Sequence, residues 1–261
     1  MTSYSKLSAS LLMLVMLSLV LGAAGQDRSA TQTPYVTTGK EATIIGSVRF
    51  DGKAPKPLII DMAADPVCVE INQNPLTDWY VVSEGKVANV IVYVTSDGLA
   101  KYSFDSPSEA LTLTHINCQF QPHVTGLRVG QSLHIVNADN TQHSTHPTPK
   151  YNPEWNQTQP ASAPPIAKTF LKPEVAFPIK DNQHPWEKAF VGVFTHPFFA
   201  VTGPDGSFRI EGLPPGAYRV HAWHEFMGEK TIDLVLVPGE ARHLEFAFKT
   251  ADVKDKERYD W

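Results

Sequence analysis

Residues 111–137 read LTLTHINCQFQPHVTGLRVGQSLHIVN and contain three short runs of β-branched and apolar residues. The runs are Leu111–Ile116, Val124–Val129 and Ser132–Asn137, and each has the length of a β-strand rather than that of a helix. Turn-forming residues such as Gly130 separate them. This stretch therefore predicts several neighbouring strands of a β-sheet.

The same pattern continues on both sides of this stretch. Further strands are predicted at 43–50, 86–95, 190–194, 207–210, 217–223, 231–237 and 243–248. No segment after the N-terminus has an apolar period that predicts a helix longer than two turns. Many short strands in a chain with 21 prolines indicate an all-β sandwich or Greek-key barrel.

The N-terminal segment has the features of a secretory signal. Lys6 precedes an apolar run, Leu11–Leu21, and small residues follow it up to Gly25, which predicts a signal peptide over 1–25. An uncleaved anchor is the alternative, but the run is shorter than the roughly 20 residues that span a bilayer. Residues 26–41 predict a flexible linker. We expect a periplasmic or secreted protein with no membrane span after cleavage.

Charge and cysteine content restrict the partners and the compartment. The chain carries 22 basic and 27 acidic residues, a net charge of −5, and has no basic run interleaved with aromatic residues. Nucleic acid is therefore not an expected partner. Cys68 and Cys118 are the two cysteines, and in an oxidising compartment they predict one disulfide. The alternative is that one of the sulfurs is a copper ligand.

Two polar segments carry most of the histidine chemistry. Residues 137–146 read NADNTQHSTH and follow a predicted strand, and residues 181–187 read DNQHPWE. Together they offer imidazoles and carboxylates at the ends of strands, where loops can meet. The long stretch 147–178 between them holds eight prolines and predicts a functional loop or an insert without regular structure.

These segments resemble a known family. The runs CQFQPHV (118–124), VGQ (129–131), NADNTQHSTH (137–146) and HPW (184–186) resemble bacterial exported cupredoxin-like proteins of the plastocyanin and azurin type. Residues 196–218 resemble the carboxypeptidase regulatory-like, or transthyretin-like, domain. The resemblance implies a cupredoxin-like Greek-key β-sandwich over 42–194 and a smaller transthyretin-like β-sandwich over 195–249. The charges of residues 250–261 separately predict a solvated tail.

The family's copper loop ends in C-x-x-H-P-W-M, and this chain departs from that motif at both sulfur positions. Asp181 stands at the cysteine position and Glu187 at the methionine position, whereas His143 and His184 remain. Blue copper requires the thiolate and a weak axial thioether. The remaining set, to which His146 can be added, suits zinc or copper(II) instead. The alternative is a relic site in which Asp181 pairs with His184 and no metal binds.

Two further groups of residues are candidate sites. His224 and Glu225 follow the predicted strand 217–223 and, with His123, form a possible second cluster for a metal or a ligand at the domain seam. The structural alternative is a packed Trp223 with a His224–Glu225 hydrogen bond that closes the turn before Gly228, and a buried His123 bonded to the backbone. Trp155 and Trp186 form a possible platform for stacking sugars, or else they pack against the protein.

The sequence therefore predicts an exported, non-enzymatic protein with a cupredoxin-like scaffold that binds copper or zinc through histidines and carboxylates. The alternative is a carbohydrate-binding or adhesion module with a relic metal loop and a carbohydrate or extracytoplasmic protein partner. No nucleophile elbow, phosphate-binding glycine loop or H-E-x-x-H motif is present. Enzymatic activity is accordingly not predicted.

Overall fold

Strands are the main regular elements of the structure. A computed structural model describes residues 32–254, so the predicted signal peptide and tail residues 255–261 lie outside the described part. The strands are β1 (Thr33–Pro34), β2 (Ala42–Asp51), β3 (Val82–Ser83), β4 (Lys86–Val87), β5 (Ile91–Thr95), β6 (Tyr102–Ser103), β7 (Leu111–Ile116), β8 (Gln119–Gln121), β9 (Val124–Arg128), β10 (Ser132–Asn137), β11 (His143–Pro147), β12 (Gln157–Gln159), β13 (Ile166–Thr169), β14 (Glu174–Asp181), β15 (Lys188–Phe194), β16 (Phe199–Val201), β17 (Ser207–Leu213), β18 (Gly216–His224), β19 (Gly228–Leu236) and β20 (Ala241–Lys249).

The helical content of residues 32–254 is small. One α-helix, α1, spans Pro66–Ile71, and single 3₁₀ turns cover Asp97–Leu99 and Thr250–Asp252. No helix in this part of the chain is long and apolar enough to cross a membrane. The predicted all-β class is confirmed.

The first sandwich contains the strands that carry the predicted metal ligands. Its two sheets have the orders β13-β10-β7-β8 and β12-β11-β14-β15-β9. Leu113 and Ile135 from one sheet and Ile179 and Val191 from the other belong to one buried core. Each sheet contains a parallel pair, β7 with β10 and β9 with β15. The chain therefore crosses between the sheets, as a Greek-key arrangement requires.

The second sandwich differs from the predicted domain boundaries. Its sheets have the orders β16-β5-β18-β19 and β17-β2-β4-β3, and β20 pairs with β2 in parallel. Ile44 of β2 and Val92 of β5 lie in its core with Val220. The prediction assigned β2 and β5 to the first sandwich because they precede it in sequence. In the structure, β2 pairs with β17 and β20, and β5 pairs with β16 and β18, all of which lie near the C-terminal end of the chain.

An apolar contact joins the two sandwiches. Tyr93, Phe194, Phe199 and Trp223 pack together at this junction. The ring of Phe199 lies directly over Gly126, where an added Cβ would be 2.4 Å from Phe199 Cε2. The close approach therefore depends on the missing side chain at Gly126.

Three other segments have more regular structure than expected. In the predicted linker, β1 pairs with β6 and the Tyr35 hydroxyl donates to the Gly212 carbonyl at 2.7 Å. In the proline-rich stretch, β12 and β13 pair at sheet edges with β11 and β10. In the predicted tail, Lys254 N–H donates to the Phe226 carbonyl at 2.9 Å. Short edge strands lack the apolar alternation that sequence reasoning uses.

The predicted disulfide between Cys68 and Cys118 is confirmed. It joins α1 to the turn between β7 and β8. Both cysteines are buried with Met62 and packed against Trp186. The disulfide therefore lies beside the loops on which the metal ligands were predicted.

Candidate metal centre

Four buried side chains converge at one end of the first sandwich. They are His115 on β7, His143 on β11, Asp181 at the end of β14 and Glu187 immediately before β15. One ligand atom from each lies within 4.8 Å of the others. His115 is on the same face of β7 as the core residue Leu113, because alternate strand residues share a face. The cluster thus continues the core of the sandwich with polar groups.

The Nδ1 atoms of the histidines point into this cluster. His115 Nδ1 lies 2.9 Å from Glu187 Oε1. His143 Nδ1 lies 2.8 Å from Asp181 Oδ2 and 3.1 Å from Glu187 Oε2. His184, in the loop after β14, brings its Nδ1 to 3.1 Å from Asp181 Oδ2 and 3.1 Å from His143 Nδ1. Three imidazoles therefore present the same nitrogen to two carboxylates.

The Nε2 atoms of these histidines all have partners on the outside of the cluster. The pairs are His115 with Thr145 Oγ1 at 2.9 Å, His143 with Asp139 Oδ2 at 3.1 Å, and His184 with Asp65 Oδ2 at 3.0 Å. Metal-binding histidines characteristically use the second ring nitrogen in this way, which fixes the ring orientation.

The two outer carboxylates are themselves held in place. Asp65 is the N-cap of α1 and accepts from Thr141 Oγ1 at 2.7 Å. Asp139 accepts from the backbone N–H groups of Asn117 and Cys118 at 2.7 and 2.8 Å. The orientation of His184 and His143 thus depends on α1 and on the β7–β8 turn.

The pKa values of His143 and Asp181 in the cluster are shifted by the acidic side chains and histidines around them. Burial lowers the pKa of His143, but hydrogen bonds with Asp139 and Asp181 and the negative charge of Glu187 outweigh it and raise that pKa to about 11. Burial would raise the pKa of Asp181, but hydrogen bonds from His143 and His184 hold it below its usual range. The buried negative charge therefore needs a compensating positive charge, which either protons on imidazoles or a metal ion can supply.

One carboxylate oxygen in the cluster lacks a hydrogen-bond donor. Glu187 Oε2 is buried and unbonded, although it lies 3.1 Å from His143 Nδ1. His143 has one Nδ1 hydrogen, and Asp181 Oδ2 is the closer acceptor at 2.8 Å. A buried carboxylate oxygen without a partner is unfavourable. A cation among these atoms would provide that partner.

The cluster approaches the surface on the side of His184. A pocket lined by Ala64, Asp65, Thr141, Gln142, Gln183 and His184 opens there. His115 and His143 are fully buried behind it. An incoming ion therefore meets the Asp65–His184 pair first.

His146 lies outside the cluster, in contrast to the prediction. Its Nδ1 is 3.0 Å from Asn182 Oδ1 and its Nε2 is 2.7 Å from Glu154 Oε1. Along β11, His143 and Thr145 share the inward face, so the odd spacing turns His146 away. His115 was not predicted as a ligand. Because Leu113 and His115 are two residues apart on a predicted strand, both are expected to point inward, and this spacing could have identified His115.

The predicted second cluster, His123 with His224 and Glu225, does not have the geometry of a metal site. His123 Nε2 bonds to Glu225, and its Nδ1 lies 3.0 Å from Asp78 Oδ2 and 3.1 Å from the Lys188 carbonyl. The two acids are thus on opposite sides of one ring and share no central position. His224 accepts from Phe226 N–H at 3.2 Å instead. His123 has the backbone bond that the structural alternative predicted.

Trp155 and Trp186, the predicted platform, pack in two different places in the structure. Trp155 packs against the core of the first sandwich, with Lys168 Nζ 4.7 Å from its ring centroid. Trp186 packs beside the disulfide, and its Nε1 donates to the Cys118 carbonyl at 3.0 Å. Both side chains have packing roles, and sugar binding by them stays a prediction.

Comparison with known proteins finds partial similarity to solved structures. No protein-family model and no curated protein matches the chain. Similar solved structures include the copper-containing nitrite reductase from Thermus scotoductus SA-01 (20% identity, TM-score 0.30, 33% of this chain and 22% of that chain), the purple cupredoxin from Nitrosopumilus maritimus (14%, 0.29, 32% and 99%) and amicyanin from Paracoccus versutus (17%, 0.28, 34% and 86%). The chain thus spans less than a quarter of the nitrite reductase. With TM-scores of 0.30 or less, these likenesses carry no conclusion about this chain.

Proposed function

We propose that this protein binds one divalent transition-metal ion, zinc or copper(II), through His115, His143, His184, Asp181 and Glu187. The observation that carries the proposal is the common orientation of the three imidazoles, with Nδ1 inward and Nε2 bonded outward. Nitrogens bound to one zinc ion at about 2.0–2.1 Å in a tetrahedral arrangement lie about 3.3 Å apart. The 3.1 Å between the Nδ1 atoms of His143 and His184 is close to that spacing.

The same distance disfavours a purely hydrogen-bonded relic. His143 Nδ1 and His184 Nδ1 both face Asp181 Oδ2. A proton on each would place two N–H groups side by side, 3.1 Å apart. A single cation would replace both protons and would also satisfy Glu187 Oε2.

The ligand set does not fit blue copper. Both cysteines of the chain are joined in the disulfide, and carboxylates occupy the two positions at which the family motif has sulfur. Imidazole and carboxylate ligands suit zinc or copper(II). A bound ion would supply a Lewis-acidic centre, with the side chain of His184 on the open side.

The setting of this function is an exported cupredoxin-like protein without enzymatic activity. The signal-like N-terminus supports export, and so does the disulfide, because disulfides persist mainly in oxidising compartments. The buried position of His115 and His143 supports holding an ion rather than turning over a large substrate.

Calorimetric titration of the purified, oxidised protein with Zn²⁺ and Cu²⁺ tests the proposal. We expect one ion per chain, and more than about tenfold weaker binding in His115→Asn and His143→Asn, because each loses an inward nitrogen. His146→Asn is the matched control, since it changes an imidazole on the same strand that faces away. Absence of binding, or an equal loss in H146N, contradicts the proposal.

The spectrum of the copper-loaded protein tests the ligand type separately. We expect only weak visible absorption, because the chain has no thiolate to donate charge to copper(II). An intense absorption of the blue-copper kind would contradict the assignment of Asp181 and Glu187 as ligands.

A further inference from the structure

Each cysteine of the disulfide lies next to one histidine of the metal cluster. Cys68 with Asp65 and His184 forms one group of potential ligands, and Cys118 with Asp139 and His143 forms another. Within each group, one ligand atom per residue lies within 4.8 Å of the others. The two groups are joined by the disulfide on one side and by the 3.1 Å approach of the His143 and His184 Nδ1 atoms on the other.

The oxidation state of the sulfurs decides whether they can bind a metal. Cysteine binds metals as the thiolate, which the disulfide does not provide. A dithiol reductant transfers two electrons and two protons to the disulfide, leaves two cysteine thiols and is itself oxidised to a disulfide. Each thiol releases its proton when a metal binds. Two thiolates with two imidazoles form a soft ligand set, in contrast to the carboxylates of the oxidised cluster.

Interactions other than the disulfide hold both cysteines next to the histidines. On the Cys118 side, the backbone N–H bonds to Asp139 at 2.8 Å and the carbonyl accepts from Trp186 Nε1 at 3.0 Å. On the Cys68 side, the N-cap Asp65 bonds to Thr141 Oγ1 at 2.7 Å and fixes the start of α1. These bonds do not depend on the bond between the sulfurs. The thiols are therefore expected to stay beside the imidazoles after reduction.

We infer that Cys68, Cys118, His143 and His184 form a second metal site, selective for Cu⁺, that exists only when the disulfide is reduced. The inference goes beyond the proposed function, because it concerns another oxidation state, other ligands and a softer ion. Both cysteines are fully buried, so a reductant reaches them only when the chain opens. The redox conditions under which the chain folds thus select the site that forms.

Refolding with and without a phosphine reductant separates the two states. Tris(2-carboxyethyl)phosphine reduces the disulfide and is oxidised to its phosphine oxide, with one water molecule supplying the oxide oxygen and the hydrogens of the two thiols. Anaerobic competition with bicinchoninate then measures Cu⁺ affinity of the reduced protein, the oxidised protein and C68S/C118S. We expect the reduced protein to bind Cu⁺ more than about tenfold tighter than either thiol-free form. X-ray absorption should show both sulfur and imidazole nitrogen around the copper.

Three results would overturn the inference. One is equal Cu⁺ affinity in the reduced protein and in the forms without thiols. If C68S/C118S does not fold, the oxidised protein serves as the form without thiols. Another is unchanged affinity of the reduced protein in H143N/H184N, which would leave thiols alone as ligands. The third is loss of the near-ultraviolet circular dichroism on refolding under reductant. Cu⁺ binding by the reduced protein without Zn²⁺ or Cu²⁺ binding by the oxidised one would support this inference and remove the proposed function.

Discussion

Asp139 is the residue that connects the backbone of the β7–β8 turn to the candidate metal centre. Its carboxylate accepts two backbone N–H groups and bonds to His143 Nε2. We expect Asp139→Asn to weaken Zn²⁺ binding by about 10–100-fold, because an orienting partner of a ligand is lost. Asp61→Asn changes an exposed carboxylate in a nearby loop and serves as the control. Equal losses in both variants would show a general charge effect instead.

His224 gives the protein a sensitivity to acid that is independent of the metal. Burial, aided by the positive charge of His123, lowers the pKa of His224 to about 3. As the pH falls below about 6.5, the unfolded chain takes up a proton at this residue and the folded chain does not. Stability should therefore decrease between pH 6.5 and 3, by up to about 1.4 kcal/mol per pH unit.

Urea unfolding at pH 7 and pH 5, with a chelator present, measures this effect. We expect His224→Gln to lose less stability than the wild type on acidification, because the variant has no imidazole to protonate. An identical pH dependence in the two proteins would contradict the lowered pKa of His224.

At the scale of single residues, the sequence located most of the candidate centre. The family resemblance indicated His143, Asp181, His184 and Glu187, all of which the structure brings together. It did not indicate His115, since that residue is far from both loops in sequence and belongs to a strand. Spacing also could not reveal that the Nε2 atoms find Thr145, Asp139 and Asp65, because these contacts join distant segments.

At the scale of elements, the contact between β9 and β16 is sensitive to a single methyl group. A Cβ at Gly126 would lie 2.4 Å from Phe199 Cε2, whereas a Cβ at Gly203 would meet its nearest atom, Asp205 Oδ1, at 3.5 Å. We expect Gly126→Ala to lower the free energy of unfolding by about 1–3 kcal/mol through overpacking. Gly203→Ala is the control. Equal stability of the two variants in urea would contradict the tight packing at this junction.

Strands with apolar faces were predictable, and strands that carry polar functional groups were not. β7 and β10 have the predicted bounds, because alternating Leu, Ile and Val residues define them. β11 escaped prediction, because its inward residues are His143 and Thr145 rather than hydrophobic side chains. β14 contains Pro178, which obscures its pattern. Hydrophobic periodicity therefore describes β11 and β14 of the candidate centre poorly, although it describes β7, which carries His115, well.

At the scale of the whole molecule, the first sandwich is inserted into the sequence of the second. β2 and β20 form a parallel pair from Thr43↔Ala241 to Asp51↔Lys249, so both ends of the described chain contribute to the second sandwich. The first sandwich is formed by one continuous segment, β7 to β15, which lies between β6 and β16 in the sequence. Strand order along a sequence does not specify such distant pairings, and the predicted boundary at residue 42 therefore differed from the observed division.

Contacts of His123 also connect the candidate centre to the second sandwich. His123 precedes β9 and bonds to Glu225, which follows β18. Its Nδ1 also lies 3.1 Å from the carbonyl of Lys188, the residue after Glu187. A rigid position of Glu187 thus depends partly on contacts that cross between the sandwiches.

Anomalous diffraction at the zinc absorption edge, from crystals of the oxidised protein grown with Zn²⁺, tests the metal site most directly. We predict one peak at about 2.0–2.1 Å from Nδ1 of His115, His143 and His184, with Asp181 and Glu187 completing the coordination. Zinc bound elsewhere, for example between His146 and Glu154, with no peak inside the cluster would contradict the account.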